Sequence, residues 1–330
     1  MENQSGKQEG KDQETKEERE AEEKEEEDLD ETEDGRQIEK PGQKKKGKKK
    51  EPKLTFKTAY DVMLERKNLK WVKTHTPIDE LLGGQGIEQE EVIEFYGAYG
   101  CGKSQIVFTV SVDMAETTIQ MELQKPVENL EEPGPLVGDI IFIDTEGTFK
   151  PERITEIAKA RGYDPERIVK KIHLVQPRTV DEQMATLKQI PKKLKPALIV
   201  IDSLTTLFRE EYIGREMLSI RQGMIRKHIR DLKNYVREKK CIGIVTNQVV
   251  GNPGATPWTR MEDRETEAGG HTVSFCIDNR FYIRKGGGIT RIARLIDSSR
   301  YPGGDAVFVI TEKGAESPLS PSSPEGAEAK

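Results

Sequence analysis

The chain has 330 residues, a formal net charge of −6, and charged and hydrophobic fractions of 34% each. That balance is too polar for a chain folded throughout, so part of it is expected to lie outside any core. Its three cysteines, Cys101, Cys241 and Cys276, form no C-x-x-C pair, and no apolar run reaches the roughly 18 to 20 residues that span a bilayer. A disulfide framework, a zinc site and a membrane span are all disfavoured, and with no hydrophobic leader the expectation is a cytoplasmic protein.

The charge is concentrated at the start. Met1 to Asp34 holds 17 acidic against 5 basic residues, and Gly35 to Lys53 reverses the sign with 9 basic against 2 acidic. Such blocks cannot bury enough apolar surface to offset ordering entropy, so residues 1–52 read as a disordered tail, acidic then basic. Its lysines at 44–46 and 48–50 either touch nucleic-acid phosphates or merely solubilise the chain. Thr58 to Lys67 has helical spacing behind an extended Lys53–Phe56 lead. Phe56 and Ala59 thus form an F-x-x-A unit, which either staples the helix to its own domain or inserts into a neighbouring subunit.

Pro77 to Gly84 reads as a short helix ended by glycines. Val92–Tyr96 is a buried strand, and it runs into Gly97-Ala98-Tyr99-Gly100-Cys101-Gly102-Lys103-Ser104, a complete G-x-x-x-x-G-K-S loop followed by a helix from Gln105 to Ala115. The glycines let backbone N–H groups and the positive helix end hold phosphate oxygens. Lys103 is placed to neutralise β/γ-phosphate charge and Ser104 to bind Mg²⁺. Strand and helix on either side separate this from a chance glycine-rich turn.

Glu116 to Gly138 reads as a proline-broken surface insertion. Strands follow at Ile140–Asp144, Ile172–Val175, Ala197–Asp202 and Cys241–Thr246, with helices at Pro151–Arg161, Val180–Leu194 and Leu218–Glu238 between them. That alternation predicts an α/β fold, a mainly parallel sheet with helices on both faces. Arg280–Arg284, Arg291–Ile296 and Ala306–Thr311 are expected to extend it antiparallel. The boundaries drawn are a lead at 53–73, a core at 74–314 and a disordered tail at 315–330.

In such a sheet ligands lie beyond the carboxyl ends of the strands. Asp202 closes an apolar strand as a metal-directed acid does, Glu146 is placed to polarise a water, and Asp144 reads as structural. Gln248 ends the fifth strand, where an amide can sense a γ-phosphate or simply satisfy the strand end. The loops Glu210–Arg221 and Val250–Gly269 carry Arg209, Arg215, Arg221, Arg260, Arg264 and Trp258, but also Glu262, Asp263, Glu265 and Glu267. Spacing alone leaves nucleic-acid binding there open.

From about Leu54 to Gly314 the chain resembles the archaeal RadA branch of the RecA/RadA recombinases. The segments that carry this are Phe56-Lys57-Thr58-Ala59, the loop Gly97–Gln105, Ile143 to Arg153, Val200-Ile201-Asp202-Ser203, Leu218–Gln222, Thr246-Asn247-Gln248-Val249 and Ala293–Asp297, in the family's order. The D-T-E-G-T-F-x-P-E-R run within them is the most specific. The resemblance implies a RecA-like P-loop ATPase core, with ATP and Mg²⁺ as cofactors. It also implies self-assembly into a filament or ring on single-stranded DNA, and strand exchange. Glu146 matches the family's catalytic glutamate, Arg153 its adenine contact and Gln248 its γ-phosphate sensor. Phe56 and Ala59 match its polymerisation motif. Asp297 to Pro302 matches a cap laid over a neighbour's nucleotide, and the arginines at 215, 221, 260 and 264 fall in its two DNA-binding loops.

Several positions depart from the pattern. The charged tail stands where the family has a helix-hairpin-helix domain, the Gly83-Gly84-Gln85-Gly86 turn is one residue longer, and Phe275 occupies the place of a histidine. Phenylalanine relays no hydrogen bond. Three readings follow: an ATP-dependent recombinase; a paralogue that regulates or mediates, binding another recombinase through Phe56 and Ala59; and an unrelated P-loop motor, which lacks the cap and F-x-x-A.

Overall fold

In the computed structural model, residues 56–123, 135–251, 258, 265–269, 273 and 276–318 are described. The chain divides into residues 1–56 and 57–330, and of the first unit only Phe56 is described. The second unit begins with helix α1 (Ala59–Arg66), started by a capping box. Thr58 Oγ1 accepts from Asp61 N at 3.1 Å, and Thr58 N donates to the Asp61 carboxylate at 3.0 Å. None of α1 is buried, although it carries Tyr60, Met63 and Leu64.

A two-stranded ribbon, β1 (Trp71–Val72) with β2 (Ile87–Glu88), brackets the short helix α2 (Ile78–Leu81). The central sheet is built from β3 (Val92–Tyr96), β4 (Asp139–Asp144), β5 (Ile172–Val175), β6 (Pro196–Asp202), β7 (Ile242–Asn247), β10 (Asn279–Lys285), β11 (Thr290–Ser298), β12 (Gly304–Thr311) and β13 (Gly314–Glu316). Its order is β13-β12-β11-β10-β3-β7-β6-β4-β5. The separate pair β8 (Val249–Gly251) and β9 (Glu265–Glu267) forms the stem of the second loop.

Strands β4, β6 and β7 are apolar on both sides because both sides are covered. Ile140, Phe142, Leu198, Val200, Ile242 and Ile244 join one core cluster, while Ile141, Ile143, Ile199, Ile201 and Val245 join the other. The first cluster is roofed by α3 (Lys103–Leu123), α4 (Pro151–Ala160) and α5 (Pro165–Lys171), the second by α6 (Val180–Gln189), α7 (Thr206–Glu211) and α8 (Leu218–Lys239). No helix among the described residues is long and apolar enough to cross a membrane.

Four expectations are corrected. The 280–284 strand, β10, pairs parallel with β3, because the connection from Asn247 is long enough to return the chain to the amino end of the sheet; β11, β12 and β13 then follow antiparallel. Glu116–Leu123 continues α3, burying Thr118 and Ile119, since the first proline beyond it is at 126. Helix α6 stops at Gln189, before Pro191. Ala315 and Glu316 belong to β13, where Ala315 N donates to Thr109 Oγ1 of α3 at 2.8 Å.

Candidate nucleotide site

The phosphate loop leaves β3 where the sheet needs backbone without side chains. A Cβ on Gly97 would lie 2.1 Å from the Ile283 carbonyl oxygen, and one on Gly102, at φ +110°, 2.7 Å from Ile310 Cδ1. Lys103 is 9% exposed, and its Nζ donates to Gly97 O at 2.9 Å and Ala98 O at 3.0 Å. Cys101 is fully buried beneath the loop, and burial pushes its thiol up. It packs rather than reacts.

Beside the loop, Asp202 at the end of β6 is 3% exposed and accepts from Thr246 Oγ1 and from the Ser104 side chain. Burial pushes its carboxyl above the usual range, and the neighbouring Glu146 charge adds to this, while the two hydrogen bonds and Lys103 oppose it. A hydroxyl and a carboxylate are thereby paired as hard oxygen donors, the set a Mg²⁺ ion takes.

From Asp202 a polar line crosses the strand ends. Ser203 Oγ lies 2.6 Å from Thr206 Oγ1, which donates to Glu146 Oε1 at 3.0 Å. The same Glu146 oxygen accepts from Gln248 Nε2 at 2.8 Å. Gln248 Oε1 in turn accepts from Arg209 Nη1 at 3.5 Å. Asp144 takes no part: it accepts from Thr148 N, Phe149 N and Gln176 Nε2 at 3.1, 3.0 and 2.9 Å, holding the Thr145-Glu146-Gly147 turn as a structural residue.

These groups line one cavity of about 560 Å³, which contains Lys103, Ser104, Asp202, Glu146, Gln248 and Arg153. Arg153 is held by its own chain, Nε on Gln105 Oε1 at 2.9 Å and Nη2 on Thr311 O at 2.6 Å. Tyr99 is 88% exposed at the mouth. Thr206, Thr246, Lys150 and Arg291 complete the surroundings and were not among the predicted site residues; the packing of α7, β7 and β11 and the start of α4 bring them here. For Thr206 a signal existed: it opens the helix that follows Asp202.

The predicted residues do not all converge. Asp297 and Pro302 are exposed and line no part of this cavity. Ser298 pairs with Asn279, which pairs with Ile93 at the start of β3, so the cap segment sits at the amino ends of the strands. Arg291, seven residues earlier in β11, lies beside the loop, a strand length of roughly 23 Å away. Arg215 is exposed, and Arg221 Nη1 donates to Tyr212 O at 2.9 Å. Arg221 and Arg209 line an open groove of about 520 Å³ that reaches Gln248 and Val250. Arg260, Arg264 and Phe275 lie outside the described residues, while Trp258 is 94% exposed. At the stem of the second loop, Ala268 N donates to Gln248 O at 2.8 Å, and Asn247 Nδ2 donates to Ala268 O at 2.7 Å.

Sheet order, loop and polar line together define a RecA-like α/β core with a P-loop. The Rad51 family profile matches residues 65–318. The chain is 37% identical over 273 residues to the DNA repair and recombination protein RadA of Methanoculleus marisnigri, covering 78% of this chain and 79% of that protein. Against the proteins of the same name from Ignicoccus hospitalis and Aeropyrum pernix it is 37% and 35% identical, over 80% of this chain and 78% and 79% of theirs. The chain belongs to the Rad51 family.

Proposed function

We propose that the chain is an ATP-dependent DNA recombinase of the RadA kind, which assembles on single-stranded DNA and promotes homologous pairing and strand exchange in recombinational repair. The observation that carries this is the line from Ser203 through Thr206 to Glu146, Gln248 and Arg209, which runs from beside Asp202 and the phosphate loop into the groove beside the first loop. Such a line lets the position of one carboxylate depend on what occupies the groove.

Bound Mg²⁺ and ATP supply an electrophilic γ-phosphorus and the anhydride whose cleavage drives the cycle. Lys103 and the loop N–H groups would neutralise phosphate charge, and Ser104 with Asp202 would hold the cation. Glu146, fixed by Thr206 and Gln248, orients a water and takes its proton. Arg153 would contact the adenine ring of a bound nucleotide. Phe56, 91% exposed, and α1 present apolar surface for a second copy, and the cap from Asp297 to Pro302 closes over that neighbour's nucleotide. Arg215, Arg221, Arg260 and Arg264 contact the DNA backbone, and the protein acts in the cytoplasm, with the DNA. A second reading, a paralogue that binds ATP and regulates another recombinase, is favoured by Phe275 and by the acidic residues at 262, 263, 265 and 267.

The test is ATP turnover with and without single-stranded DNA, alongside Glu146→Gln. Turnover stimulated by DNA and lost in the variant, with ATP binding kept, is expected. Turnover indifferent to DNA contradicts the recombinase reading and leaves the regulator.

A further inference from the structure

Glu88 is 1% exposed at the end of β2, in a run of acidic and amide residues that reads as surface. Its two carboxylate oxygens are divided. Oε1 accepts from Arg66 Nη2 at the end of α1, and Oε2 accepts from Arg300 Nη1 inside the cap segment. Arg300 lies 5.2 Å from both the Trp71 and the Tyr301 ring centroids, so its cation is held by two aromatic rings and a carboxylate. Behind it, Ser298 Oγ accepts from Arg300 N at 3.1 Å and Tyr301 N at 3.0 Å, and donates to Asn279 Oδ1 at 2.7 Å.

Among the described residues, Arg66 to Glu88 is the one ion pair that joins α1 to the core, and no residue of α1 is buried. The helix that follows Phe56 and the segment that reaches for a neighbour's nucleotide are therefore set by the same carboxylate. We propose that Glu88 is a positioning residue, a clamp that fixes α1 and the cap segment relative to each other, so that a copy docked through Phe56 and Ala59 also brings its cap onto the neighbour's nucleotide. This rests on the reading that the cap acts between subunits. It adds the link between the two contacts: docking and capping become one event rather than two.

Both arginines are half exposed, at 51% and 50% of their side-chain surface, so either can be rehydrated when Glu88 loses its charge, and Glu88→Gln is expected to fold. The experiment compares the full chain with Glu88→Gln, Arg66→Ala, Arg300→Ala and the Arg66→Ala/Arg300→Ala pair. It reads KM for ATP, kcat, turnover per subunit against protein concentration, and nucleotide-free self-association by sedimentation. Glu88→Gln is expected to raise KM for ATP about tenfold while kcat at saturating ATP changes less than about threefold. Each arginine variant raises KM severalfold, and the pair is no worse than Glu88→Gln, because both act through one carboxylate. Nucleotide-free association stays within about twofold of the parent, since Phe56 and Ala59 are untouched. If turnover rises with protein concentration but the arginine effects multiply, or Glu88→Gln leaves KM unchanged, the clamp is overturned alone. If turnover per subunit is independent of concentration in the parent chain, the cap does not act between subunits, and both readings fall.

Discussion

The two ends of the central sheet carry polar chemistry of different kinds. At the carboxyl ends, Thr246 satisfies Asp202, and Thr206 and Gln248 satisfy Glu146, within a single chain and on top of strands buried to the last residue. At the amino ends, Glu88, Glu91 and Asp278 meet, and their partners Arg66, Arg300 and Lys233 come from a helix with no buried residue, an exposed segment and α8. The first arrangement is preorganised for a ligand that brings phosphate and a cation. The second orients surfaces that a single copy leaves uncovered. The site thus gathers its chemistry within one chain, and on the proposed reading its missing wall would come from the other end of a second copy.

The sharpest way to break this contrast is at the carboxyl ends. Glu146→Gln keeps the amide partners of the line but removes the base, so turnover falls by roughly 10²–10⁴-fold with nucleotide affinity nearly unchanged, as equilibrium binding and steady-state rates will show. Equal loss of binding and turnover would mean Glu146 is structural.

Two buried groups also respond to pH in opposite senses. His228 is fully buried against the Phe208 ring of α7, its ring nitrogens find no hydrogen-bond partner, and burial pulls its pKa down from 6.5 to about 4. Its folded pKa is depressed, so the unfolded chain binds the proton more tightly; stability is whole above pH 6.5 and lost as pH falls toward 4. His228→Leu should flatten that loss, worth on the order of 1–3 kcal/mol, in urea titrations at pH 7 and pH 5. Glu91 behaves the other way. Burial, with Glu88 and Asp278 adding repulsion, raises it from 4.5 to about 7, so its contribution is whole below pH 4.5 and is lost as pH rises through 7. Glu91→Gln should therefore stabilise the protein at pH 8 by about 1–2 kcal/mol and scarcely at pH 4.5, read from Tm at both. The smallest effect on the folded chain is expected from Phe56→Ala. An exposed ring costs the fold less than about 0.5 kcal/mol, yet its loss should abolish self-association in sedimentation.

The sequence betrays the carboxyl end more readily than the amino end, for a physical reason. Doubly covered strands such as Ala197–Ile201 are apolar throughout, and a phosphate loop packs its chemistry into eight consecutive residues, Gly97 to Ser104. Strand direction is different: β10 is parallel because of where its long connection ends, which its own residues do not encode. Glu88 is hidden for the same reason. Its partners lie 22 and 212 residues away, and nothing in Glu88-Gln89-Glu90-Glu91 distinguishes the buried carboxylate of Glu88 from that of its partly exposed neighbour Glu90. Asp297 and Pro302 were legible as a motif, while their distance from the chain's own cavity became visible only in the register of β11 on β10.

The measurement that tests the central claim most directly is homologous pairing: circular single-stranded DNA with a matching linear duplex, the full chain, Mg²⁺, and either ATP or none, resolved on a gel and imaged for DNA-bound filaments. Joint molecules that require ATP and homology, formed by filaments and absent with Lys103→Ala, are the predicted result. ATP turnover without joint molecules at any protein concentration would contradict it, and would make this chain a regulator of another recombinase.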